Sequence, residues 1–234
     1  MKRMRGLTIV LVLLAVLLPV WATARTIDPV VSTDWLEKNL FEPNIVILDV
    51  RKGAEFGNDH ILNAVNVAYG AWAIKRRALL NELPARYDIP DLIGLAGINK
   101  DSKVVVVGKM DSPADRVDAT RVAWTLKFAG IGDVAVLDGG YNKWLAEKRP
   151  TALAVKEIKA VPYQGTIQES LFVNKAYVLD KLGKAVIVDV RETEFYWGDK
   201  KQPFVAKAGR IKGAVNLPTS LVYEPNGTYK NKEA

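Results

Sequence analysis

The stretch VVVVGKMDSPAD, residues 104–115, runs from an apolar strand through a glycine into a polar loop that carries Lys109, Asp111 and Asp115 ahead of a helix. Loops at the carboxyl ends of strands in α/β proteins are where ligands bind, and backbone N–H groups at a helix start favour an anion. The chemistry open to this loop is narrow. The chain has no cysteine, which removes disulfides, thiolate metal sites and thiol nucleophiles together. It has a single histidine, His60, so neither a histidine-rich metal site nor a Ser-His-Asp arrangement is readily assembled, and His60 reads as a loop hydrogen-bonder. Lys109 offers a point charge that either holds an anion on the loop or is simply solvated. Asp111 and Asp115 suit the helix dipole but repel an anionic ligand. No metal and no cofactor are expected.

Two further charged pairs, Asp49/Arg51 and Asp189/Arg191, close strands and mark an internal repeat. IVILDVRKGAEF (45–56) matches AVIVDVRETEFY (185–196), and HILNAVNVA (60–68) matches RIKGAVNLP (210–218). The offset is 140 at Asp-Val-Arg and 150 at Ala-Val-Asn, so the second copy carries a ten-residue insertion around WGDKKQPFVAKAG, polar enough for a surface loop. Residues two apart at a strand end share a face, and the pairs read as structural pins held by charge-assisted hydrogen bonds.

The elements that position these residues alternate in type. NIVILDV, KVVVVG and DVAVLDG are short, nearly continuous apolar runs, the pattern of strands covered on both faces. Helices are expected in VSTDWLEKNL, AWAIKRRALLNEL, DIPDLIGLAG and DRVDATRVAWTLKFAG, the last closed by Gly130, with a short helix through Trp144. Trp35, Trp124 and Trp144 fall on helical faces and read as core. The expected fold is α/β, a parallel sheet with helices on both faces, duplicated. The expected organisation is a signal segment at 1–24, a first unit at 25–150, a linker at 151–170 and a partial second unit at 171–234.

Composition agrees with a folded protein: 49% hydrophobic and 25% charged residues exclude disorder. MKRMRG followed by LTIVLVLLAVLLPVW and Ala22-Thr23-Ala24 reads as a secretory signal cleaved after Ala24, its apolar run of about fifteen residues falling short of the roughly twenty that span a bilayer. Export to the periplasm or beyond, without stable membrane insertion, is the expectation. Setting aside Lys2, Arg3 and Arg5 lowers the net charge from +7 to +4, with no basic block and interleaved aromatics to suggest nucleic-acid binding.

Asp-Val-Arg at a strand end, the turn before Ala-Val-Asn, and VLDGGYNKW at 136–144, with Asp138, Gly139, Gly140 and Trp144, together resemble the rhodanese-like domains of the tandem thiosulfate or 3-mercaptopyruvate sulfurtransferases. The resemblance implies a rhodanese-like fold and, in complete members, sulfane-sulfur transfer through a cysteine persulfide, the thiolate cradled by backbone N–H groups at a helix start. It implies a small sulfur-containing anion or thiol acceptor as partner. It places Lys109 at the cysteine position of the first copy, which is thereby catalytically silent. The equivalent loop of the second copy is expected at about position 259 from the repeat offset, about 25 residues past Ala234. Phe195 stands where thiosulfate-type members often have a substrate-binding arginine, four residues after Arg191. The sequence therefore predicts an exported rhodanese-like protein without the catalytic cysteine, inactive alone, whose partial second copy exposes apolar strands. The alternative is a non-catalytic envelope module that holds an anion or a protein partner at Lys109.

Overall fold

The computed structural model describes residues 25–231, so the signal segment expected at 1–24 lies outside the described residues. Strand β1 (Val30–Val31) leads into α1 (Thr33–Lys38), whose start is fixed by Ser32: its hydroxyl accepts the Trp35 amide at 3.1 Å. Then follow β2 (Ile45–Asp49), α2 (Gly53–Asn58), β3 (His60–Ile61), β4 (Val65–Asn66), α3 (Tyr69–Trp72), β5 (Ile74–Arg76) and β6 (Leu79–Glu82). Next come α4 (Asp88–Leu95), β7 (Lys103–Val107), α5 (Pro113–Phe128), β8 (Val134–Leu137), α6 (Gly140–Ala146) and β9 (Thr151–Ala152).

Five strands form a parallel sheet in the order β1-β8-β7-β2-β4, with β7 at its centre. Alternation along β7 sends Val104 and Val106 to one face and Val105 and Val107 to the other. The first pair joins a core with Trp72, Ile89, Ile93, Val122 and Leu126 from α3, α4 and α5. The second joins Leu36, Phe56, Tyr141 and Trp144 from α1, α2 and α6. Both faces are therefore dry, which is why these strands contain no alternating polar residue. Helix α5 ends at Phe128, and Gly130, at φ 101°, supplies the left-handed C′ position.

One expectation fails. AWAIKRRALLNEL is not a helix: α3 stops at Trp72, and the rest is the β5–β6 hairpin, paired at Ile74↔Glu82 and Arg76↔Leu79. Arg77 and Asn81 adopt left-handed φ values of 56° and 59°, incompatible with a continuous α-helix. Leu79 and Leu80, which helical spacing assigns to a core face, are exposed and so supply no packing to reward a helix.

Residues 151–170, expected to be a linker, make several contacts with the elements before them. β9 pairs antiparallel with β3, the Val161 amide donates to Gly94 O at 3.1 Å, and the buried Tyr163 hydroxyl donates to Ala129 O at 2.8 Å. Beyond it come α7 (Lys175–Asp180), β10 (Val188–Asp189), α8 (Thr193–Trp197) and β11 (Val215–Asn216). β10 and β11 pair in parallel with Asp189 opposite Asn216, the register in which β2 and β4 place Asp49 opposite Asn66. Val186, Val188, Val190, Val215 and Leu217 around this pair are exposed.

Candidate functional site: the cradle after β7

Gly108 follows the last residue of β7 and Ser112 caps α5, so residues 108–112 curl at the carboxyl edge of the sheet. The loop sits against the Gly139-Gly140 turn. The Tyr141 amide donates to Gly108 O at 3.0 Å, and a Cβ on Gly140 would lie 2.4 Å from that oxygen, at a φ of 56°. This is the physical requirement behind the second glycine of VLDGG. Asp138 accepts the Tyr229 amide at 2.8 Å, Gly139 adopts the left-handed φ of 74°, and Trp144, fully buried, donates from Nε1 to Pro150 O at 3.0 Å.

One loop amide and one amide of the first helical turn are engaged within the protein. Met110 N–H donates to Asn142 Oδ1 at 2.9 Å, and Asp115 N–H donates to Ser112 Oγ at 3.2 Å, while Ser112 Oγ donates to Asp115 Oδ2 at 2.6 Å. Lys109 Nζ lies 2.5 Å from Glu55 Oε1 and 3.3 Å from Asp111 Oδ2. The Glu55 hydrogen bond, then Asp111, holds the Lys109 ammonium above its ordinary pKa, and Lys109 in turn lowers that of Glu55. A cavity of about 210 Å³ opens here, lined among others by Lys52, Glu55, Lys109, Asp115 and Asp118. Burial, with the Asp115 charge added, pushes Asp118 up to about 6. An incoming anion would have to displace Glu55 from Lys109 and face Asp115 and Asp118.

Asp49 and Arg51 are buried beside this cavity. Arg51 Nε and Nη2 clasp the Asp49 carboxylate at 3.0 and 2.7 Å, Nη2 also donates to Asp59 O at 2.8 Å, and the guanidinium lies 3.5 Å from the Tyr141 ring centroid. Asn66 Nδ2 donates to the carbonyls of Asp49 and Arg51, each at 2.9 Å. The pair is a pin between β2, β4 and the α2–β3 turn. The same set recurs at Asp189 and Arg191: Nη2 donates to Asp189 Oδ2 at 2.5 Å and to Gly209 O at 2.9 Å, and Asn216 Nδ2 donates to the carbonyls of Asp189 and Arg191 at 2.8 and 2.9 Å.

His60 is in strand β3 rather than an open loop. It is 1% exposed, stacks on Phe56 at 3.9 Å between centroids, and places Nδ1 2.8 Å from Phe56 O, outside the cradle cavity. Glu55, Asn142 and Asp118, which set the charge and the donors of the cradle, carry no signal in the sequence. Each comes from a different helix and looks like an ordinary surface residue until the topology brings them together.

A hairpin from the second half closes one side of the loop. Tyr223 bridges Tyr229, the Tyr223 hydroxyl donates to Arg116 O at 2.7 Å, and Arg116 Nη2 donates to Pro225 O at 3.1 Å. Gly227 lies against Met110, where a Cβ would come within 2.6 Å of the Met110 Cβ.

A five-stranded parallel sheet, a strand-end Asp-x-Arg pin and a loop curled into the start of a helix at the central strand define a rhodanese-like α/β domain. Residues 32–147 match the rhodanese-like domain family, and the chain belongs to the rhodanese-like sulfurtransferases. It is 30% identical over 224 residues to the sulfur carrier protein TtuD of Thermus thermophilus, covering 88% of this chain and 75% of that protein. It is 29% identical over 222 residues to a putative thiosulfate sulfurtransferase of Mycolicibacterium smegmatis, with the same coverage. Among solved structures it shares its fold with SseA from Escherichia coli, a 3-mercaptopyruvate sulfotransferase, at a TM-score of 0.71 and 24% identity over 88% of this chain and 79% of that one. It also shares its fold with YnjE, at a TM-score of 0.74 and 20% identity, where it spans only 53% of the other chain.

Proposed function

We propose that this chain is an exported, tandem rhodanese-like protein whose first cradle is catalytically silent and which transfers no sulfur by itself. The observation that carries the reading is Lys109 at the tip of the loop, its ammonium tied to Glu55 and Asp111 where sulfane chemistry needs a thiolate. An ammonium has no lone pair to accept sulfur and, being held above its ordinary pKa, does not release one at neutral pH. The whole chain has no cysteine to act in its place.

The tandem part of the reading is supported by the repeated Asp-x-Arg and Asn hydrogen-bond set, by the common register of β2–β4 and β10–β11, and by relatives whose similarity runs well past residue 147. Export is supported by the cationic and apolar character of residues 1–24. The sulfur carrier and thiosulfate sulfurtransferase relatives support sulfur compounds as the substrate class of complete members.

Incubating the purified chain with thiosulfate or 3-mercaptopyruvate and cyanide is expected to yield thiocyanate at the background rate, with no mass added to the intact protein. Turnover above background, or a sulfur adduct on any side chain, would overturn the proposal. Export is checked separately by fractionating expressing cells, where a cytoplasmic protein retaining residues 1–24 would contradict it.

A further inference from the structure

A second cavity, of about 400 Å³, lies between the β5–β6 hairpin, the loop after it, and α5, and shares no lining residue with the cradle. Its walls carry Arg76, Arg86 and Arg121 against the single carboxylate of Glu82, with Phe128 and Phe172 as its apolar surface. Arg86 is paired with Glu169, but among the described residues neither Arg76 nor Arg121 has a carboxylate partner. Arg76 makes only a long contact to Leu83 O at 3.5 Å. Arg121 donates from Nη2 to Asn81 O at 2.8 Å, whereas its Nε–H is shut off from water with no acceptor among the described residues.

Arg76 and Arg121 line the cavity with no carboxylate paired to either among the described residues, and the group that suits an arginine fork is a planar oxyanion. The apolar side of the cavity is aromatic, with Phe172 half-exposed over the edge of the buried Phe128. Phe128 stacks on Trp124 at 5.5 Å between centroids, and Phe172 tilts across both. The volume is in the range of small-molecule sites, where apolar walls carry the body of a ligand and a few placed charges orient it. We infer that this cavity binds a small organic anion with a flat apolar body, a carboxylate or sulfonate on an aromatic ring, whose charged group sits between Arg76 and Arg121.

The probe is naphthoate, added to the full chain with isotope-labelled arginine side chains and followed by the Arg121 Nε–H signal in nuclear magnetic resonance. Naphthoate is expected to move that signal saturably, and the neutral naphthamide to bind at least about tenfold more weakly, the loss expected for a charge-assisted hydrogen bond. Arg121→Gln and Phe172→Ala should each weaken naphthoate about tenfold or more, judged by calorimetry. Lys127→Gln, a charge change on the same helix that does not line the cavity, should leave affinity unchanged. Phe172→Ala, at an exposed position, keeps the test open if Arg121→Gln perturbs the fold. The inference is overturned by the absence of a saturable shift, by equal affinity for naphthamide, or by affinity unchanged in Phe172→Ala and Arg121→Gln.

Discussion

Replacing Asp118 by asparagine tests the charge balance assigned to the cradle. Asp118 lies in the second turn of α5, partly buried against the cavity, with Asp115 adding like charge and no donor among the described residues to offset burial. A carboxyl held at about 6 instead of 3.8 charges the fold up to about 3 kcal/mol once both states are ionised. Partial access of water reduces this to about 1 kcal/mol. The sign follows from a folded-state value raised above the unfolded one. Below 3.8 both states keep the proton and the cost is absent; between 3.8 and about 6 it grows; above about 6 it is complete. Asp118→Asn should therefore stabilise the protein by about 1 kcal/mol at neutral pH and by only a small fraction of that near pH 4. Urea unfolding at the two pH values, read by tryptophan fluorescence, measures both. Equal effects at both, or destabilisation at neutral pH, would refute the claim that the cradle is an acidic, partly dry surface.

Lys109→Cys should give a thiol that titrates above the ordinary value of about 8.5, since Glu55 and Asp111 remain beside it without a cation, and adding Glu55→Gln should bring it down; thiolate absorbance against pH reads both. A single-variant thiol titrating below about 7 would contradict this. Gly140→Ala, which sets a Cβ against Gly108 O at a positive φ, is expected to cost about 2–4 kcal/mol in thermal or urea unfolding. Gly227→Ala should free the Tyr223–Tyr229 hairpin from Met110, raising hydrogen exchange at those residues while leaving the β7 amides protected. Limited proteolysis should cut first within residues 181–214, where exposed apolar side chains and loop dominate, and should spare residues 151–170, anchored by Tyr163.

The sheet was legible because its strands announce themselves. β2, β7 and β8 are apolar on both faces, and Lys109 follows Val107 at a countable distance. The β5–β6 hairpin was not legible, because its reversal rests on left-handed Arg77 and Asn81 rather than on Gly, and Leu79, Leu80 and Leu83 imitate a helical face. The position of Lys109 could be read, but its state could not. Glu55 stands 54 residues earlier on α2, and nothing local marks it as the partner. The anchoring of Tyr163 was hidden likewise, since its hydroxyl finds its acceptor 34 residues upstream.

The sheet order has a consequence for assembly of the chain. Its middle strand is β7, the fourth of the five to be synthesised, and its first strand, β1, waits for β8, the last. A polypeptide emerging amino end first, from a ribosome or a translocation pore, thus holds its rim before its centre. Until about residue 107 has cleared the exit, Ile47 and Leu48 have no neighbouring strand on the side that β7 will fill, and β7 itself waits for β8 until about residue 137. Holding chaperones or slow release would matter most during that interval.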